Sequence, residues 1–148
     1  LEAARAWYEQ QSALCVDGIL SDDSGLCVDA LWGAPGVLTA HFGPGLSPHE
    51  KNIKLLTLLQ ANDPRSARYV CILAWWQPHG EIKTFLGVAE GSLSDTPRGH
   101  RGFGYDPIFQ PHPLEKTFGE MEDSDKNLIS HRGLATQALK KYLETSKK

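Results

Sequence analysis

Hydrophobic and polar residues alternate with different periods along this chain, and each period predicts a different element. Ala3, Ala6, Trp7 and Leu14 fall on one side of a 3.6-residue helix, with Glu2, Arg5, Glu9 and Gln11 mostly elsewhere. Residues 1–13 therefore read as an amphipathic helix, without a clear N-cap. Asp17-Gly18 marks a turn. Ile19-Leu20 is a short apolar run that stops at Ser21-Asp22-Asp23-Ser24-Gly25, a strand end feeding a polar turn. Residues 32–48 hold four Gly and three Pro and predict an ordered, irregular surface loop. Ser47 as N-cap, Pro48 at the first helical position and Glu50 three residues after Ser47 then predict a helix closed by a capping box. That helix carries Ile53, Leu55, Leu56, Leu58 and Leu59 for packing, and it ends by Asn62, because Asp63 precedes Pro64 and is pushed out of the α region. Residues 67–76 are nearly continuously apolar, β-branched or aromatic, which predicts a central strand covered on both faces. Pro78-His79-Gly80 turns the chain, and Ile82, Thr84, Leu86 and Val88 occupy alternate positions of a second strand of the hairpin. A last helix over residues 130–144 places Leu134, Ala138, Leu139 and Tyr142 on one side, with Lys140, Lys141, Lys147 and Lys148 near its C-terminal end, where cations suit the dipole. The order of elements predicts one α/β domain with a mixed sheet.

Composition narrows the classes of function. A chain of 148 residues with 41% apolar and 22% charged residues can bury one core, which excludes disorder and a coiled coil. No run approaches the ~18 apolar residues of a membrane span, and Leu1-Glu2-Ala3-Ala4-Arg5 lacks the order of a signal peptide. The net charge of −3 offers no basic face to a nucleic-acid polymer. Cys15, Cys27 and Cys71 are odd in number and widely spaced, which disfavours a disulfide framework or a zinc site and favours a reducing, cytoplasmic setting.

Three polar clusters stand at element boundaries. Asp22 and Asp23 repel one another at the end of an apolar strand, whereas a hard cation such as Mg²⁺ accepts such oxygens. Taken alone, the pair suits an Asx turn better, with Gly25 supplying a positive φ. In residues 99–106, Gly99, Gly102 and Gly104 bare the backbone while Phe103 and Tyr105 present flat faces, a combination that suits a nucleotide as well as it suits a tight core connection. Lys126, His131 and Arg132 form an anion-binding corner at the entrance of the last helix, or a solvated helix start that Ser130 caps.

Together these clusters resemble the inosine triphosphate pyrophosphatase family. The resemblance rests on Asp22-Asp23-Ser24-Gly25-Leu26, on Val28-Asp29-Ala30-Leu31-Trp32-Gly33-Ala34-Pro35-Gly36-Val37, on Gly102-Phe103-Gly104-Tyr105-Asp106-Pro107-Ile108-Phe109 and on Lys126-Asn127-Leu128-Ile129-Ser130-His131-Arg132-Gly133-Leu134-Ala135. It implies an α/β fold with an elongated mixed sheet flanked by helices. It also implies a Mg²⁺-dependent homodimer that cleaves ITP, dITP and XTP between the α and β phosphates, giving the monophosphate and pyrophosphate. Under the resemblance Asp23 is the general base and metal-linked carboxylate, with Asp22 supporting it at the metal, and Ser24 touches substrate. Phe103, Gly104, Tyr105 and Asp106 hold base and sugar, Lys126 meets phosphate or base, and His131 with Arg132 completes the base pocket. Family members open with a T-G-N-x-x-K strand and loop and carry a metal-binding Glu before the first long helix. No Thr-Gly-Asn occurs here, so the single domain is expected to be truncated at its N-terminus relative to the family. A second reading, a catalytically weak nucleotide-binding or dimer-forming member, stands beside the first.

Overall fold

The computed structural model of the protein describes residues 1–11, 16–78 and 80–145. Five strands form one sheet in the order β2-β1-β3-β4-β5, with β1 at Ile19–Val28, β2 at Pro35–Gly36, β3 at Ser66–Trp76, β4 at Lys83–Leu93 and β5 at Phe109–Pro111. Helix α1 spans Glu2–Glu9, α2 Pro48–Thr57, α3 Asp123–Ile129 and α4 His131–Thr145. The α/β architecture is the expected one; the sheet expected to be mixed pairs antiparallel at all four junctions among the described residues. Leu14, Cys15, His79, Lys147 and Lys148 lie outside the described residues. No helix among the described residues is long and apolar enough to cross a membrane.

Several local expectations are corrected. The strand expected to stop at Ser21 instead runs through Asp22, Asp23 and Ser24 to Val28, each paired in register with β3. Long-range pairing overrides the local turn signal. Gly25 is not at positive φ; a Cβ there would overlap the Gly36 carbonyl of β2, so the glycine serves a close approach of two strands. β3 is central as expected, but only one of its faces is deeply covered. Ala67, Tyr69, Cys71 and Leu73 are buried, while Ile72 on the opposite face is 45% exposed. The hairpin partner has its inner face at Phe85, Gly87, Ala89, Gly91 and Leu93, so the apolar alternation of Thr84, Leu86 and Val88 points outward. Gly87 explains the inversion: a Cβ there would overlap the His131 carbonyl and the Ala135 amide, so α4 lies directly on the β4 backbone. Helix α4 accordingly buries His131, Ala135 and Leu139; of the expected stripe Leu139 is buried, while Leu134, Ala138 and Tyr142 are only partly covered.

The core lies on this inner face in two clusters. One gathers Leu26, Val28, Leu55, Tyr69, Tyr105, Phe109 and Phe118 between the sheet, α2 and the long connection after β4. The other packs Cys71 and Leu73 against Ala135 and Leu139 of α4. The capping box of α2 forms as predicted, with Ser47 Oγ accepting from the Glu50 amide and the Glu50 carboxylate accepting from the Ser47 amide at 2.8 Å. Helix α3, unmarked by hydrophobic spacing, carries Asp123 and Asp125 in its first turn, where carboxylates suit the dipole.

Candidate active site

One cavity of about 420 Å³ opens where β1, the loop before α2, the first turn of α2, the glycine-rich loop and α4 meet. Its walls include Asp22, Asp23, Ser24, Phe103, Gly104, Tyr105 and Arg132, so seven of the ten residues singled out by the sequence converge on it. A larger cavity of about 720 Å³ lies elsewhere, but its lining sets Glu115, Glu120, Glu122 and Asp125 against Lys116 alone, an acidic balance that disfavours an anionic ligand.

Strand alternation separates the two neighbouring carboxylates. Asp22 and Ser24 share the face of Leu73 and Cys71, beneath α4, whereas Asp23 shares that of Ile72. Asp22 accepts a fork from Arg132, at 2.7 Å from Nε and 3.0 Å from Nη2, with Ser24 Oγ donating at 3.3 Å. The Arg132 hydrogen bonds hold the Asp22 carboxyl below its usual range, against the opposing pull of burial. Asp22, expected at the metal, is thus engaged in orienting a guanidinium. Asp23 is exposed, and its carboxylate has no hydrogen-bond partner among the described residues. No cluster of three His, Cys, Asp or Glu side chains forms a metal cage among the described residues. A lone carboxylate still fits Mg²⁺, which is commonly held by one or two carboxylates with water and substrate phosphates completing the shell.

The glycine-rich loop is shaped by three positive-φ glycines, Gly99, Gly102 and Gly104. At Gly102 a Cβ would overlap the Asp106 carboxylate, which folds back beneath the loop to accept from the Phe103 amide at 2.6 Å. The same oxygen accepts from Lys126 Nζ at 2.6 Å. Burial pushes the Asp106 carboxyl up, while Lys126 and the Phe103 amide draw it back. Asp106 and Lys126 are buried and lie behind the cavity wall, where they brace the loop. The result is a Phe103 ring 56% exposed, with Lys126 Nζ 4.8 Å from its centroid and the Arg132 guanidinium 5.1 Å away.

His131 likewise lies behind the wall, its ring stacked on Tyr69 at 4.5 Å and 10°. It is buried, and neither ring nitrogen has a partner among the described residues. Burial lowers its pKa from the ordinary 6.5 to about 4, with Arg132 and Lys126 adding to the shift. Tyr69 Oη accepts from the Tyr105 amide at 3.1 Å, so a residue of the central strand ties the aromatic loop to the start of α4. Asn52 of α2 makes a second tie, donating to the Gly104 and Pro48 carbonyls. The sequence reading missed Tyr69 and Asn52, which sit in segments that read as packing. Ser130 caps α4 as expected, accepting from the Gly133 amide at 3.1 Å.

A family model described as the Ham1 family matches residues 1–142. A dITP/XTP pyrophosphatase of an Exiguobacterium species is 48% identical over 122 residues, which are 82% of this chain and 62% of that protein. A Staphylococcus epidermidis protein of the same name is 43% identical over 144 residues, 97% of this chain and 74% of its relative. Among solved structures, the Staphylococcus aureus Ham1 protein superposes with a TM-score of 0.82 at 38% identity, covering 88% of this chain and 68% of that one. The chain thus spans less than two thirds of the length of the Exiguobacterium relative.

Proposed function

The chain belongs to the Ham1 family, and from that premise we propose that it hydrolyses non-standard purine nucleoside triphosphates, ITP, dITP and XTP, to the monophosphate and pyrophosphate. The observation that carries this reading is the joining, in one cavity, of an unpartnered carboxylate, Asp23, with the exposed Phe103 ring and the oriented Arg132 fork. The names of the dITP/XTP pyrophosphatases to which the chain is similar support it.

In this mechanism the base stacks on Phe103. Arg132 has five N–H donors; Asp22 occupies two of them, leaving the others for the 6-oxo group of hypoxanthine or xanthine. Adenine presents an amino group at that position, which would leave buried donors facing a donor, and such mismatches are strongly rejected. Asp23 takes the proton from the attacking water as the bond between the α phosphorus and its bridging oxygen breaks, and pyrophosphate leaves with the electron pair. Asp23 would hold Mg²⁺, which when bound would supply neutralisation of the phosphate charge. Asp106, Lys126 and His131 act from behind, by fixing the loop and the start of α4. The protein acts as a cytoplasmic homodimer in this reading; an outward sheet face that leaves Ile72 and Leu86 exposed supports a partner surface.

The test is product identity. Incubation with dITP and Mg²⁺ should release pyrophosphate and dIMP; release of orthophosphate and dIDP, or no release, contradicts the proposal.

A further inference from the structure

The charge balance of the cavity singles out a residue that neither the sequence motifs nor the comparisons assign. A triphosphate brings several negative charges, and the two cations expected to meet them are already matched. Arg132 is paired with Asp22, and Lys126 is buried with Asp106 behind the wall. Among the described residues lining the cavity, Lys51 is the one cation without a carboxylate partner. Its nearest carboxylate in sequence, Glu50, is consumed by the capping box, accepting from both the amide and the hydroxyl of Ser47. Among the described residues Lys51 Nζ donates only to the Ala40 carbonyl, at 3.3 Å, which leaves two of its three N–H groups without a partner there.

The position is locally unfavourable. Lys51 stands in the first turn of α2, where the helix dipole is positive and a cation is repelled. An anion at this place would relieve that repulsion and take the remaining donors together. We infer that Lys51 is the phosphate-chain contact of the site, holding the polyphosphate at the α2 side of the cavity while Phe103 holds the base. The inference rests on the nucleotide reading above and deepens it. It also gives a function to a helix whose leucines read only as packing.

The test uses the full chain and two probes, inorganic tripolyphosphate for the phosphate end and inosine for the base end, titrated calorimetrically. Lys51→Met keeps the aliphatic stem and removes the charge; Lys51→Arg keeps the charge. Loss of one charge-assisted hydrogen bond weakens binding roughly 10- to 100-fold. Lys51→Met should lose tripolyphosphate affinity on that scale, bind inosine unchanged and show a shallower salt dependence, and Lys51→Arg should restore most of the loss. A wild-type protein that does not bind tripolyphosphate overturns the inference. So does a Lys51→Met protein that binds it unchanged, or that loses inosine in equal proportion. Turnover of dITP on the same samples separates the two claims: Lys51-dependent tripolyphosphate binding without turnover sustains the inference and refutes the hydrolase.

Discussion

A single ion pair governs base choice in this account. Asp22 holds Arg132 by two hydrogen bonds, and Arg132 in turn lies beside the Phe103 ring. Removing Arg132 removes the donors that distinguish an oxo from an amino group. Arg132→Ala should therefore raise KM for dITP and narrow the dITP-to-dATP ratio of kcat/KM by at least tenfold, as steady-state assays on both nucleotides will read. Asp22→Asn should move the same ratio in the same direction with a smaller effect, because it loosens the fork without deleting it. His131 makes a different prediction, one of stability against pH. Its folded pKa of about 4 lies below the ordinary 6.5, so the unfolded chain binds more protons between those values. The contribution of neutral, buried His131 is present above pH 6.5 and is lost as pH falls toward 4. Denaturant midpoints measured across that window should fall with acidity, and His131→Gln should flatten the fall; an equal slope in both proteins contradicts it.

At the scale of elements, the site depends on how closely α4 approaches β4. The Gly87 contact leaves no room for a methyl group, which would meet first the His131 carbonyl, next to Arg132, and then the Ala135 amide. Gly87→Ala should cost roughly 1–3 kcal/mol through overpacking, read as a lower Tm, and should raise KM for dITP as Arg132 shifts. The legibility of the sequence divides along the same line. A signal confined to a few residues, such as the Ser47–Glu50 box, was readable because its physics is local; the glycines of the aromatic loop were legible as bare backbone, while their positive φ came only with the structure. The continuation of β1 through Asp22 and Asp23 was not, because its hydrogen bonds come from β3, some fifty residues away in sequence. The inner face of β4 was not legible for a related reason. Its small residues are small because a helix presses on them, and hydrophobicity alone assigns the core to the larger Leu86 and Val88. Lys51 and Asn52 were hidden inside a helix whose leucines drew attention to packing, although irregular glycine- and proline-rich loops such as the one leading into α2 often hold sites.

For the whole molecule, one sheet with its helices gathers residues from five regions of the chain around one cavity, and the motifs matter only in that conjunction. The chain is expected to run in solution as a dimer, with a light-scattering mass near twice 16.3 kDa at micromolar concentration; a mass at the monomer value contradicts the homodimer. The central claim, that the cavity holding Asp23 is a nucleotide-hydrolysing site, is tested most directly by pyrophosphate release from dITP with Mg²⁺, measured side by side on the wild-type chain and Asp23→Asn. The wild type should turn over, and the variant should keep the circular-dichroism spectrum and Tm of the wild type while kcat falls by ~10²–10⁴-fold, the scale of a lost general base. Turnover at the wild-type rate by Asp23→Asn, or none by the wild type, would contradict the account.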